Sequence, residues 1–290
     1  MCIREQVTQT IINMIEEGVG KWEQPWRKLG ARGMPSNYAT GHRYSGVNVL
    51  LLWIAAQERG YSLNQWMTFN QANELGAKVR KGAKGVMCIF YKLVERSEPH
   101  DAGETEGDGR SIPLLKPFWL FNVADIEGLQ QDAAPSDARV NYVDEGELVL
   151  QASGATLQHG GDVACYVPSM DLIRLPAAKQ FKSAEDYYAT AMHELIHWTG
   201  GESRLNRTFG KRFGDDAYAF EELVAELGAA FLLSDLGMAE YSLPGHASYL
   251  AHWLKVLRSD KNAIFTAAKH ATAAYQLLME RAGRDQSSDQ

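Results

Sequence analysis

Read for the spacing of its apolar positions, the chain divides into helical and strand-like stretches. Residues 3–18 carry Val7, Ile11, Ile12, Met14 and Ile15 at helical intervals, which predicts an amphipathic helix with Gly18 as its stop. Residues 48–59 are apolar almost throughout and predict a buried helix. Residues 66–69 read as a short strand leading into a helix over 70–75, and residues 86–94 and 117–123 are strand-like. Helices on a small mixed sheet account for this half. Further on, Ser183 with Asp186 three residues later marks a helix start, and Gly200 and Gly201 end it. Residues 171–176 read as an edge strand feeding that helix. Asp215 and Asp216 cap a second helix running to Leu236, striped by Ala219, Phe220, Leu223, Leu227, Ala230 and Phe231 and stopped by Gly237. Residues 245–253 predict a third. The pattern predicts an α+β protein of two domains, 1–130 and 140–290, joined by a polar linker over 131–139.

The chemistry sits inside the helix that Ser183 starts. His193-Glu194-Leu195-Ile196-His197 is an H-E-x-x-H. Residues four apart share a helix face, so the imidazoles of His193 and His197 can converge on one ion. Glu194, beside them, can take a proton from an attacking water and pass it to a leaving amine. Burying two His and a Glu among Leu195, Ile196 and Trp198 is costly unless something satisfies them, and a metal does so.

On the second helix, Glu222 and Glu226 share a face, with Glu221 on another. The pattern Glu222-x-x-Ala225-Glu226 resembles the second motif of gluzincin metallopeptidases. That resemblance implies that Glu222 is the third metal ligand and that Glu226 stands behind a ligand histidine and hydrogen-bonds it. The expected ion is Zn2+, with Mn2+ or another divalent metal as alternatives. A peptidase also needs a donor to the oxyanion, and Tyr249 is the expected one; His246 and His252 flank it. Arg204 and Arg207, just after the motif helix, are read as surface or interdomain ion pairs before substrate-carboxylate ligands.

Charge separates the halves. Residues 1–96 hold 13 Lys and Arg against seven Glu and no Asp, a net of +6, which leaves −13 for the rest of a chain whose total is −7. Residues 97–111 are acidic, without apolar periodicity, and read as a flexible exposed insertion. The basic half interleaves aromatics and cations: Trp22, Trp26, Arg43, Tyr44 and a loop with Lys78, Arg80, Lys81 and Lys84. Cations that track phosphates beside rings that stack on bases predict a single-stranded nucleic-acid surface. Three cysteines, Cys2, Cys88 and Cys165, lack metal-ligand spacing and fit a reducing cytoplasm. The sequence shows neither a membrane-length apolar run nor a signal-peptide core, so a cytoplasmic protein with no membrane partner is expected.

Nearly the whole chain resembles one family. Trp22-x-x-Pro25-Trp26, Asn37-x-x-Thr40-Gly41-x-x-Tyr44-x-Gly46-x-Asn48, Trp66-x-Thr68-Phe69-x-Gln71-Ala72 and Val79-Arg80-Lys81-Gly82 resemble the N-terminal domain of ArdC-type antirestriction proteins, which also occurs in TraC-type primases. Tyr188-Ala189-Thr190, the H-E-x-x-H, Glu221 to Glu226, Ser248-Tyr249-x-x-x-Trp253-Leu254 and Asp260-Lys261 resemble the zincin-like domain joined to it. The resemblance implies a conjugative-plasmid protein that binds single-stranded DNA and protects incoming DNA from host restriction; separately from it, a monomer and a protein substrate such as a host restriction component are expected. Two rivals follow from the residues. One is a binding module that protects DNA by occlusion alone, with a structural metal; structural zinc usually adds Cys or His, and none lies near this motif. The other is a nuclease or primase accessory factor, which the absence of an Asp-rich magnesium cluster disfavours.

Overall fold

The computed structural model describes residues 2–19, 33–95, 111–129, 142–208, 216–238 and 247–284. Helix α1 (Ile3–Val19) buries Val7, Ile11, Ile12 and Ile15 and runs one residue past the expected stop at Gly18. After strand β1 (Ser36–Asn37) comes α2 (Val47–Glu58), where Val49, Leu50, Leu52 and Trp53 are fully buried and their neighbours nearly so. It has no solvent face over most of its length, as its unbroken apolar run requires.

Strand β2 (Gln65–Met67) leads into the short α3 (Phe69–Glu74), started by a reciprocal pair of bonds between Thr68 and Gln71. Then follow β3 (Lys78–Val79), β4 (Val86–Glu95), β5 (Ser111–Asn122) and β6 (Ile126–Glu127). One sheet has the order β1-β2-β5-β4, and β3 pairs with β6 as a separate antiparallel ribbon. Strand β5 begins six residues before the expected 117, because Pro113 and Pro117 mask its pattern. It pairs with β2 only at Phe121 and Asn122, so among the described residues its far stretch is open on one side, where proline is tolerated. Glu95 faces Ser111 across the hairpin; residues 96–110, most of the expected acidic insertion, lie outside the described residues, as does the expected linker.

The second half opens with α4 (Tyr142–Ser153) and a three-stranded sheet of β7 (Thr156–His159), β8 (Cys165–Val167) and β9 (Leu172–Leu175). Its order is β7-β9-β8, so the strand expected at an edge, 171–176, is the central one, and β8 is an edge instead. With three half-buried residues, β8 has too little alternation to announce itself. Four helices complete the fold: α5 (Ala184–Thr199), α6 (Asp216–Asp235), α7 (Ala247–Ser259) and α8 (Ala263–Arg281).

The apolar core does not break between the halves. One continuous cluster runs from Val7, Trp53 and Cys88 to Leu195, Phe231 and Ile264. α1 packs on α7 and α2 on α8, and the Trp53 and Phe231 rings meet edge to face at 5.7 Å. Polar bonds cross as well: Thr8 donates to the Lys261 carbonyl, Gly46 N–H to Thr272 Oγ1, and Arg43 to both Asp235 and Tyr275. A small satellite core of Met67, Ala72, Ala77, Val123 and Ile126 underlies the β3–β6 ribbon.

Candidate metal centre

α5 is fixed at both ends by its sequence. Ser183 accepts from Asp186 N–H at 3.1 Å, and Gly200 caps the other end. Every residue from Tyr187 to Thr199 is buried, so His193, Glu194 and His197 sit in the protein interior, facing a second helix for two of the three. That helix is α6, and it comes close because Gly228 has no side chain. A Cβ there would lie 2.8 Å from Ile196 Cδ1 and 3.0 Å from both its γ carbons.

Across this contact Glu222 reaches both histidines. Its Oε2 is 3.5 Å from His193 Nε2 and its Oε1 is 3.4 Å from His197 Nε2, while the two Nε2 atoms are 3.2 Å apart. The remaining ring nitrogens have carboxylates of their own. His193 Nδ1 faces Glu226 Oε1 at 3.6 Å, and His197 Nδ1 faces Glu221 Oε1 at 3.3 Å. Two imidazoles and a carboxylate, buried and converging on one point with their far sides oriented by acids, are the donor set and setting of a divalent cation. In this arrangement the acids dominate the electrostatics. Burial works to lower the His197 pKa, but its hydrogen bonds to the Glu221 and Glu222 carboxylates outweigh it and raise it to about 10. Burial likewise works to raise the Glu222 carboxyl, and the two histidines overcome it and hold it well below the usual carboxylate range.

Glu194 stands apart from this set. Its Oε2 accepts the backbone N–H of Tyr166, on the edge strand β8, at 2.8 Å. Arg204 ties that strand to the end of α5: it bonds both oxygens of Asp171, the Tyr166 hydroxyl and the Trp198 carbonyl, and its guanidinium lies 3.9 Å over the Trp198 ring. Asp171 has a left-handed backbone, φ 48°, at the tight turn between β8 and β9.

The structure thus brings together His193, His197, Glu222 and Glu226 as the sequence suggests, with Glu194 beside them. It adds Glu221, which sequence reasoning set aside for lying on another helix face. Arg207, read as a surface or interdomain pair, is instead buried and bonds Glu221 at 2.7 Å, Thr199 Oγ1 and the Ile196 carbonyl. Helix periodicity could not show this, because Arg207 arrives from the loop after α5. Tyr249 lies on α7, but its side chain is outside the described residues, as are Trp22, Trp26 and His246.

The expected DNA-binding residues divide. Lys78, Lys81 and Lys84 are exposed on the basic loop, which Arg59 pins by donating to the Lys84 carbonyl. Arg80 is exposed and pairs with Glu127 at 3.4 Å. Arg43 and Tyr44 turn inward instead. Arg43 is paired with Asp235, and the Tyr44 hydroxyl takes a bond from the Asn37 side chain. Much of the Asn37-to-Asn48 motif is architecture: Asn37 also accepts the N–H groups of Ala39 and Thr40, and Asn48 bonds both backbone groups of Ile89 on the edge of β4. Sequence reasoning did not single out Phe90 and Trp119, outward rings on β4 and β5 that are 54% and 53% exposed. Among the described residues no helix is long and apolar enough to cross a membrane.

Comparison with known proteins finds matches to both halves of the chain. A model of the N-terminal domain of anti-restriction factor ArdC matches residues 1–121, and one of a zincin-like metallopeptidase matches residues 144–270. The crystal structures of the antirestriction ArdC protein from R388 plasmid, metal-free and Mn(II)-bound, are similar with a TM-score of 0.80 in each case. They are 37% and 36% identical, and each comparison covers 99% of this chain and 100% of that one. The protein y4eC of Sinorhizobium fredii (strain NGR234) is 37% identical over 93% of this chain and 89% of its own. A DNA primase TraC of Escherichia coli is 36% identical over 95% of this chain, which spans only 20% of that primase.

Proposed function

The chain belongs to the ArdC family of antirestriction proteins, with a zincin-like domain and a divalent-metal centre, and from this we propose that it binds single-stranded DNA, protects incoming conjugative plasmid DNA from host restriction endonucleases, and acts as a zinc-dependent peptidase on a protein such as a host restriction component. The observation that carries the peptidase reading is the convergence of His193, His197 and Glu222 with Glu194 left out of the ligand set. Two imidazoles and one carboxylate suit zinc. When bound, a divalent ion there supplies Lewis acidity to a peptide carbonyl and makes water a better nucleophile near neutral pH.

The chain's own residues do the rest. His193, His197 and Glu222 hold the ion, while Glu226 and Glu221 fix the orientation of the two imidazoles. Glu194, held by the Tyr166 N–H, takes the proton of the attacking water and returns it to the leaving amine. A substrate peptide adds as a strand along β8, the edge that faces Glu194. In the other half, the exposed Lys78, Lys81 and Lys84 supply phosphate contacts.

Glu194→Gln tests the reading in the full-length chain. Metal content by elemental analysis and single-stranded DNA binding should stay at wild-type levels, while peptide hydrolysis falls by several orders of magnitude and protection is lost in recipients that carry a restriction system. Unchanged protection with metal and DNA binding intact removes proteolysis from antirestriction and leaves occlusion of DNA as the mechanism.

A further inference from the structure

Between the two halves lies a cleft of about 820 Å³. One wall comes from the first half, with Tyr44, Phe90 and Phe118; the other is α8, with Phe265, Lys269 and His270, and Arg4 of α1 stands at the same cleft. Its chemistry is unlike that of the chain as a whole. The protein carries a net charge of −7, yet the described residues lining this cleft include no Asp or Glu. Arg43 is neutralised there by Asp235, but Arg4 and Lys269 have no ion-pair partner among the described residues. Lys269 is exposed, and Phe90 presents 54% of its surface.

From this juxtaposition we infer that the cleft is a seat for single-stranded DNA, with phosphates on Arg4 and Lys269 and a base stacked on Phe90. The inference rests on the DNA binding proposed above and gives it a place, distinct from the basic loop. Cations without acids in an acidic chain select a polyanion. An exposed ring beside them selects unpaired bases, whose faces a duplex keeps stacked. The size is that of a site for a small ligand, roughly 300–1,000 Å³, so it admits a splayed nucleotide and its phosphates and excludes a double helix. Because both halves build the walls, the seat exists only in the whole chain.

The test is fluorescence anisotropy of a labelled oligo(dT) with the full-length protein at several salt concentrations, comparing Phe90→Ala, Lys269→Gln, Arg4→Gln and a Lys78→Gln/Lys81→Gln/Lys84→Gln variant. Phe90→Ala should weaken binding about 5- to 100-fold. Lys269→Gln and Arg4→Gln should each weaken it and flatten the salt slope by about one. Metal content and unfolding temperature should match wild type in Phe90→Ala and Lys269→Gln, which excludes loss of fold. Wild-type affinity in all three cleft variants, with loss only in the loop variant, overturns the cleft and leaves the DNA-binding reading standing. No oligo(dT) binding by the wild-type chain defeats that reading itself. If dTMP binds, lost in the same cleft variants, as tightly as the oligonucleotide does, the site is one for free nucleotides and the inference of a strand fails.

Discussion

At the residue scale, the two histidines are held alike, each with Nε2 toward Glu222 and Nδ1 toward an acid of its own. The consequence of losing each group differs. His193→Ala, His197→Ala or Glu222→Ala should abolish stoichiometric metal and cancel the rise in unfolding temperature that metal gives, because an ion bound only to the native state stabilises it. Glu226→Ala should keep the ligands and weaken metal affinity about 10- to 100-fold; full metal content in Glu222→Ala would move the third ligand elsewhere. Glu221 carries a second burden, since Arg207 is 3% exposed and ends on it. Glu221→Gln strands a buried guanidinium and should cost about 3–5 kcal/mol, as should Arg207→Met, which strands the carboxylate. The double variant should be less destabilised than the sum of the two, measured by urea unfolding. Strict additivity would mean that the pair does not act as a unit.

At the scale of elements, the approach of α5 to α6 determines whether the ligands meet. Gly228→Ala puts a methyl against three atoms of the Ile196 side chain, two of them γ carbons that no rotation about χ1 moves away together. It should cost about 1–3 kcal/mol and lower metal affinity by spreading the helices. Adding Ile196→Ala should restore metal affinity while leaving the protein less stable than wild type, because it removes the clash and opens a cavity. Metal affinity unchanged in Gly228→Ala would show that α6 finds its place without that contact. These helices were legible beforehand: Ser183 as cap, the apolar stripe of α6 and the four-residue spacing of its acids are local signals. What surrounds them was not. β8 is short and escaped a periodicity reading, and prolines mask the start of β5, which was legible only from 117. Glu221 is paired across to another helix and Arg207 reaches it from a loop, a contact no local pattern encodes. Arg43 and Tyr44 looked like surface cations and rings from composition, and tertiary packing turned them inward.

At the scale of the molecule, two family models meet on one core. The sequence divides at a polar segment, which suggests halves that fold and act apart, but α1 and α2 bury their apolar faces partly on α7 and α8. Arg43, on the first half, neutralises Asp235 on the second, whose side chain is 5% exposed and also accepts from Tyr275. Burial pushes the Asp235 carboxyl above its usual range, and Arg43 opposes that push without cancelling it. The full chain should therefore unfold in a single cooperative transition, with calorimetric and van't Hoff enthalpies equal. Metal bound at α5 and α6 should raise the midpoint for the whole chain, including tryptophan signals from Trp53 and Trp66 in the first half. Arg43→Ala should lower stability by about 3–5 kcal/mol, because it leaves a buried carboxylate without its cation. Two resolved transitions, only one of them shifted by metal, would show that the halves are energetically separate and that the shared core couples them weakly. Under a single transition, loss of metal loosens the half that carries the basic loop, and the metal centre then supports the DNA-binding half through stability alone, before any peptide is cleaved.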